Sequence, residues 1–174
     1  MNYEVYMICP PWRQYRNYQR SQRWMMDNLP PKTLKAMKAF YFIRDCLEIG
    51  SSPNQMLFVW VTSKFTEDCR AYMKQLGYTY CNYLVWQRPQ WKKGTTKMVF
   101  EYLMVFYKGR LSSPVVPFPE ALASPFTAKV KNKNEKPADA YVLIESMFPM
   151  SNKLQILGLT TRPGWDLFRH NGKK

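Results

Sequence analysis

Met7-Ile8-Cys9-Pro10-Pro11-Trp12 closes the first apolar run of the chain with two prolines and an aromatic residue. The residues from Tyr3 to Ile8 have the composition of a buried strand. Because proline has no backbone N–H and a fixed φ, the strand must end in a rigid, extended corner. Open α/β sheets bind ligands at the carboxyl ends of their strands, so the corner is a candidate ligand site. A plain strand capped by a proline turn is the alternative.

Outward from this corner, apolar segments alternate with helix signals. Strands are predicted at Tyr3–Ile8, Met56–Val61, Tyr78–Val85, Met98–Tyr107 and Lys153–Leu157. Helices are predicted at Leu34–Glu48, Thr62–Leu76 and Pro137–Met147. The run Met56–Val61 does not alternate, which is typical of a strand buried on both faces of a parallel sheet. The order predicts an α/β three-layer fold, with a mostly parallel sheet and an antiparallel pair at one edge.

Length and composition favour one folded domain over residues 1–174, because 46% of the residues are hydrophobic. Within it we predict a basic aromatic loop at 13–28 and a proline-rich, basic linker at 111–136. No apolar run reaches the roughly 18 residues that span a bilayer, and no signal-peptide pattern is present. We therefore expect an intracellular protein, cytoplasmic or nuclear.

The cysteines favour neither disulfides nor a metal site. Cys9, Cys46, Cys69 and Cys81 form no CxxC pair, and a reducing compartment would keep them as thiols. The chain contains a single histidine, His170. We therefore predict no metal centre.

The charge points to a polyanionic partner, since 26 Lys and Arg residues against 12 Asp and Glu residues give a net charge of +14. Two basic clusters alternate with aromatic residues, and their candidate nucleic-acid-binding residues are Arg13, Arg16, Arg20, Trp91, Lys92 and Lys93. Cations suit phosphates and flat rings suit bases, which favours a single-stranded or flexible nucleic acid. A solvated basic surface is the alternative.

Six segments together carry a family resemblance. They are CPPW at 9–12, LFVWVTSK at 57–64, LVWQR at 84–88, FEYLMVFYKG at 100–109, KNEKP at 133–137 and QILGLTTRPGWDLF at 155–168. In content and order they resemble the DPPW-type adenine-N6 methyltransferases, the family that includes the catalytic subunit of the mRNA N6-adenosine methyltransferase. The resemblance implies a Rossmann-like methyltransferase fold with permuted motif order, S-adenosylmethionine as cofactor, and adenine in RNA or DNA as substrate.

The resemblance assigns CPPW to catalysis, at Cys9, Pro10, Pro11 and Trp12. It implies that a Pro10 carbonyl accepts an amine hydrogen of adenine and that Trp12 stacks on the extruded base. Cys9 stands where the family has aspartate, and a neutral thiol is a weak acceptor. Loss of a charge-assisted hydrogen bond raises the activation free energy by about 1.5–3 kcal/mol, which lowers the rate on the order of 10- to 150-fold. Nearby cations that lowered the thiol pKa would recover part of this loss.

The same resemblance assigns the cofactor to Lys136, Arg162, His170 and Asn171. By residue type alone, Lys136 is a solvated lysine and His170 a residue of the tail. Glu101 is placed with the substrate-binding residues. An unpaired carboxylate inside an apolar strand is costly, so we predict that Glu101 is paired or functional.

Two functions follow from these observations. The first is an S-adenosylmethionine-dependent methyltransferase that acts on adenine N6. The alternative is a catalytically inactive, methyltransferase-like protein that binds nucleic acid or serves as a silent partner subunit, in a heterodimer or homodimer. The change of aspartate to Cys9 favours the alternative, whereas the survival of so many separate segments favours the enzyme.

Overall fold

Among the residues that the structure describes, seven strands form one sheet in the order β5-β3-β4-β2-β1-β6-β7. The structure is a computed structural model, and it describes residues 2–10, 44–88, 99–110, 114, 124–130, 135–158 and 161–168. The elements are β1 Tyr3–Ile8, β2 Ser51–Thr62, α1 Thr66–Gln75, β3 Thr79–Arg88, β4 Val99–Lys108, β5 Phe126–Thr127, α2 Ala138–Met147, β6 Lys153–Ile156 and β7 Trp165–Phe168. A 3-10 turn, Ser63–Phe65, precedes α1, and residues 44–47 are helical.

The sheet is mostly parallel. Strand β1 pairs in parallel with β2 and β6, β6 with β7, and β3 with β5. Strand β4 runs antiparallel to both of its neighbours, β2 and β3. This confirms the α/β prediction of a mostly parallel sheet with an antiparallel pair. The two-residue strand β5 lies outside that pair.

The centre of the sheet is β2, and its residues from Met56 to Val61 are all buried. The prediction of a strand covered on both faces is thereby confirmed. On one face, Val5, Met7 and Phe58 share a hydrophobic cluster with α2. On the other face, Tyr6 and Ile8 share a second cluster with α1. The alternation along β1 thus divides its side chains between two helical layers, as the three-layer prediction requires.

Two strands were not predicted. Strand β5 lies in the segment predicted as a linker, where Phe126 is buried and aligns with Trp86 of β3. Strand β7 lies in the predicted tail, after a turn at Gly164, whose φ is +77°. Both strands are short and form because a neighbouring edge supplies their backbone hydrogen bonds, which a local sequence pattern does not reveal.

Several predictions fall outside the described residues. They concern the loop at 13–28, the first part of the helix predicted at Leu34–Glu48, the basic cluster with Trp91, Lys92 and Lys93, and much of the linker at 111–136. Within the described ranges, no helix is long and apolar enough to cross a membrane.

Candidate active site

The candidate site lies at the edge where the parallel strands end. Cys9 directly follows β1 and donates its backbone N–H to the Ile156 carbonyl at the end of β6, at 3.3 Å. Because β4 runs the other way, its first residues lie at the same edge, and Glu101 aligns with Thr62 of β2 and Trp86 of β3. The fold therefore brings together residues from positions 9, 101 and 156, as expected for the carboxyl edge of an open sheet.

A buried ion cluster is centred on Glu101. Its Oε1 accepts a hydrogen bond from Arg88 Nη1, and its Oε2 accepts one from Lys136 Nζ. The side chains of Glu101 and Arg88 are only 7% and 8% exposed, and that of Lys136 is 15% exposed. The prediction that Glu101 is paired is confirmed, because both carboxylate oxygens have a cationic partner.

Two tryptophans pack against this cluster. The Lys136 ammonium lies 5.1 Å from the ring centre of Trp60, and the Arg88 guanidinium lies 5.1 Å from that of Trp86. The two rings meet edge to face, with centres 5.8 Å apart. Both cations thus have an aromatic face as well as a carboxylate, which offsets part of the cost of their burial.

Cys9 lies close to this cluster, but its thiol stays neutral. Burial raises the pKa of the Cys9 thiol, and this effect exceeds the lowering by the charge and hydrogen bond of Lys136. The net effect of the surroundings is thus a raised thiol pKa, although Lys136 and Arg88 each lower it. Glu101 contributes to this outcome, since its negative charge also raises the Cys9 pKa. The next residue, Pro10, is buried.

A small cavity of about 20 Å³ adjoins Cys9, with room for roughly one water molecule. Its lining consists of Met7, Cys9, Trp60, Glu135, Lys136, Tyr141, Gln155, Ile156, Leu157 and Gly158. A neighbouring cleft of about 320 Å³ shares Glu135, Lys136 and Tyr141 with the cavity. A ligand in the cleft would therefore reach the cavity past these three residues.

Arg162, on the far side of the cleft, is engaged by Glu145 of α2. Its Nε and Nη2 donate to the two Glu145 carboxylate oxygens at 2.5 and 2.8 Å, and Trp165 Nε1 donates to Glu145 Oε1 at 2.8 Å. The hydrogen bond from Arg162 is the largest cause of the lowered pKa of Glu145. The guanidinium also lies 5.2 Å from the Tyr141 ring centre. Arg162 therefore borders the cleft while already bound to a carboxylate of the protein.

The sequence of the whole domain matches a known family model, described as MT-A70, over residues 3–168. The chain belongs to the MT-A70 family. The family resemblance inferred from the sequence is thus confirmed. No curated protein sequence matches the chain.

Among solved structures, this MT-A70 chain is similar to the crystal structure of the M1.HpyAVI–SAM complex. The TM-score is 0.60 at 14% sequence identity, and the match covers 90% of this chain and 73% of the other. At this identity the likeness concerns the fold, and it confirms the methyltransferase fold predicted for the chain.

The structure places some of the predicted site residues of this MT-A70 chain together. Cys9 and Lys136 line one cavity, Glu101 binds Lys136, and Arg162 borders the adjoining cleft. Pro10, which follows Cys9, is buried, and the other predicted residues lie outside the described part of the chain. They are Pro11, Trp12, Arg13, Arg16, Arg20, Trp91, Lys92, Lys93, His170 and Asn171.

The sequence reasoning missed four residues of the site. Arg88 and Glu145 are the ionic partners of Glu101 and Arg162, and Tyr141 and Gln155 line the cavity. A signal existed for Gln155, because it is an amide inside the short strand predicted at Lys153–Leu157. The others lie on a strand or helix where polar residues are ordinary. Within the described ranges, no group of His, Cys, Asp and Glu side chains could hold a metal ion.

Proposed function

We propose that this protein transfers a methyl group from S-adenosylmethionine to the N6 amine of adenine in RNA or DNA. The observation that carries the proposal is the meeting of Cys9, Pro10, Glu101 and Lys136 at the carboxyl edge of the sheet in an MT-A70 chain. A related fold occurs in the M1.HpyAVI–SAM complex, which supports the choice of cofactor.

The residues of the cleft suit this cofactor. Lys129 and Lys136 offer cations to its carboxylate. Gln155 has a buried amide oxygen without a partner among the described residues, which suits a bound N–H group. When bound, the cofactor supplies the methyl group. His170 and Asn171 are proposed to contribute further contacts.

The chain must make the adenine amine a better nucleophile. The amine lone pair is delocalised into the ring, and an acceptor of an amine N–H returns electron density to nitrogen. The Pro10 carbonyl is proposed for this role, whereas the neutral Cys9 thiol is a weak acceptor. Pro11 and Trp12 are proposed to form the rest of the pocket, with Trp12 stacked on the base. Trp60 and Trp86 exclude water from the adjoining ion cluster.

The target is proposed to be single-stranded or flexible nucleic acid, bound through Arg13, Arg16, Arg20, Trp91, Lys92 and Lys93, with Glu101 holding Lys136 beside it. The net charge of +14 supports a polyanion. A heterodimer or homodimer would supply a larger target surface. Affinity for an oligonucleotide should fall steeply with salt, and binding that ignores ionic strength would contradict this part of the proposal.

A second function, that of an inactive nucleic-acid-binding subunit, has specific support. The thiol at Cys9 is neutral, both cations beside it are bound to Glu101, and Arg162 is bound to Glu145. A calorimetric titration with S-adenosylmethionine separates the two functions. An enzyme should bind the cofactor and methylate adenine-containing oligonucleotides. Absence of binding at millimolar cofactor would refute the enzyme and support the inactive subunit.

Cys9→Asp tests the chemistry directly. An aspartate would restore a charged acceptor beside Pro10, and we expect methyl transfer to rise on the order of 10- to 150-fold. The rate is measured with a labelled methyl donor and an adenine-containing oligonucleotide. Cys81→Asp, at an exposed thiol, is the matched control and should leave the rate unchanged. An active wild type with an unimproved Cys9→Asp variant would refute our account of the missing acceptor.

A further inference from the structure

Two tyrosines of β3 share a face of the sheet because the strand contains a bulge. The pairing of β3 with β4 shifts register between Tyr80 and Asn82, so Tyr80 and Tyr83 lie on one face although they are three residues apart. Tyr80 meets the Phe106 ring edge to face, with centres 5.7 Å apart, and Tyr83 meets Tyr102 in the same way at 5.8 Å. Phe106 belongs to the cluster that contacts α1, so the bulge places both tyrosines on the α1 face.

The tyrosines on this face are open to solvent. Tyr83 is 47% exposed, and Tyr80 and Tyr102 are half-buried. On the opposite face of the same strand, Leu84 and Trp86 are buried in the cluster that contains α2. An exposed group of large rings gains little from folding and is typical of an interaction surface. We call the surface formed by Tyr80, Tyr83 and Tyr102 the tyrosine platform.

Cations border the tyrosine platform. The Arg70 guanidinium of α1 lies 4.3 Å from the Tyr80 ring centre. Lys74 follows Arg70 by four residues and therefore lies on the same side of α1. Lys64, in the turn before α1, lies 5.8 Å from the Phe65 ring centre. Within the described residues none of these three cations forms an ion pair, so the platform carries positive charge beside its rings.

The charge of the platform favours a polyanion over a second copy of the chain. Glu67, three residues before Arg70, shares its side of α1, whereas Asp68, two residues before, does not. Cations therefore exceed carboxylates beside the rings. In a two-fold dimer each patch would meet its own copy, which brings like charges together and is costly. Phosphates would neutralise these cations, and exposed rings stack on unpaired bases, so the surface fits a single-stranded nucleic acid.

The platform begins at the edge of the sheet that holds the candidate site. Tyr102 directly follows Glu101 on β4, so its side chain points to the opposite face. Tyr83 aligns with Met104, which lies three residues beyond Glu101, or about 10 Å along the strand. Lys64 follows the end of β2 at the same edge. A nucleic-acid chain that leaves the candidate site over this edge therefore meets Lys64 first and the rings next.

We infer that the tyrosine platform binds the single-stranded segment that flanks the target adenine, with bases stacked on the Tyr83 and Tyr102 rings and phosphates at Lys64 and Arg70. The inference rests on the proposed function, because the bound chain is the substrate of the candidate site. It adds a second surface, on the α1 face of the sheet, to the residues proposed to bind the target. Stacking on tyrosine tolerates any base, so this surface contributes affinity and preference for a single strand rather than sequence specificity.

The test compares Tyr83→Leu, which removes the ring but keeps an apolar side chain, with Tyr83→Phe, which keeps the ring. Arg70→Gln removes a charge beside the platform, and its matched control is Arg44→Gln, at an exposed arginine that is already paired with Asp45. Fluorescence anisotropy measures the affinity of each folded variant for a labelled, adenine-containing single strand of about 12 nucleotides and for the duplex of the same sequence, over a range of salt concentrations. Sedimentation velocity measures the oligomeric state of wild type and variants.

Tyr83→Leu should weaken binding of the single strand about 5-fold or more and leave its affinity for the duplex unchanged, whereas Tyr83→Phe should bind both as wild type does. Arg70→Gln should reduce the slope of log affinity against log salt by about 0.7, and Arg44→Gln should not change it.

Three results would count against the inference. A wild type that binds the single strand, with Tyr83→Leu and Arg70→Gln both unchanged in affinity and salt slope, overturns the inference alone. A wild-type dimer that Tyr83→Leu converts into a monomer assigns the platform to a second copy of the chain and also overturns it. A wild type that binds no oligonucleotide even at low salt overturns the proposed nucleic-acid target as well.

Discussion

Two buried Gln–Tyr pairs lie at opposite edges of the sheet. At the amino edge, Gln55 accepts a hydrogen bond from the Tyr78 hydroxyl and donates from Nε2 to the Ser52 carbonyl at 2.8 Å. At the carboxyl edge, Gln155 donates to the Tyr141 hydroxyl, and its Oε1 has no partner within the described residues. The two glutamines are almost equally buried, at 4% and 3% exposure.

The two amides differ in how much of their hydrogen-bonding capacity the described residues use. Gln55 uses both ends of its amide within the protein, so its hydrogen-bonding capacity serves the fold. Gln155 lines the cavity beside Cys9, and the described residues use only its Nε2, since its Oε1 is buried without a partner among them. The two Gln–Tyr pairs are equally buried, and they differ only in the hydrogen-bond partners of the glutamine amide.

The largest expected effect concerns charge at the carboxyl edge. Glu101→Gln would leave Arg88 and Lys136 buried without their carboxylate, and we expect a loss of about 3–5 kcal/mol in the free energy of unfolding. Urea denaturation measures it. A loss of this size would show that buried ion pairs stabilise the carboxyl edge of the sheet, whereas the amino edge has a hydrogen-bonded amide.

Glu145→Gln is the matched control for this prediction. Its pair with Arg162 is partly exposed, with side chains 32% and 28% accessible, so we expect a loss of about 1 kcal/mol or less. Equal losses for the two variants would mean that burial of the Glu101 cluster contributes little to stability.

The second prediction concerns the free energy of unfolding when each of the two Gln–Tyr pairs is removed by mutation. In the ligand-free protein, Gln55→Met should cost about 1–3 kcal/mol, because the Tyr78 hydroxyl and the Ser52 carbonyl both lose a partner. Gln155→Met should cost less, about 0.5–1.5 kcal/mol, since it breaks one hydrogen bond, to the Tyr141 hydroxyl, removes an unpaired acceptor and conserves volume. Urea denaturation of both variants measures the difference. Losses of the same size would remove the distinction between the two amides.

The smallest effect concerns pH on the α1 face, where Cys46 packs in the same cluster as Tyr78. Burial, and secondarily the charge of Asp45, raises the pKa of Cys46 to about 12. An unfolded thiol titrates near pH 8.5, so above that pH the unfolded state binds fewer protons than the folded state and stability falls. At pH 9.5 the loss should reach about 1 kcal/mol relative to pH 7.5.

Cys46→Ala should reduce this alkaline loss, which denaturation at the two pH values measures. Cys81→Ala, at an exposed thiol, is the control and should change the pH dependence less. A Cys46→Ala variant with an undiminished alkaline loss would assign the effect to other groups, among them Cys69, whose pKa burial also raises.

Much of the sheet was predictable because its long strands are apolar runs bounded by turn residues. The central strand β2 and the antiparallel pair β3 and β4 were found in this way. Pairing of Glu101 was also predictable, since an isolated carboxylate in an apolar strand is costly. Its partners were not, because Arg88 and Lys136 lie 13 and 35 residues away along the chain.

The sequence by itself determined the order of the helices and of the strands other than β5 and β7, the family, and the corner at Cys9 and Pro10. These follow from local physics, since apolar runs must be buried and prolines end a strand. The tertiary structure alone decided that the Cys9 thiol is neutral, that Lys136 is bound to Glu101, and that the buried Gln155 Oε1 has no partner among the described residues. Burial and hydrogen-bond partners depend on which distant segments meet, and spacing along the chain does not specify that.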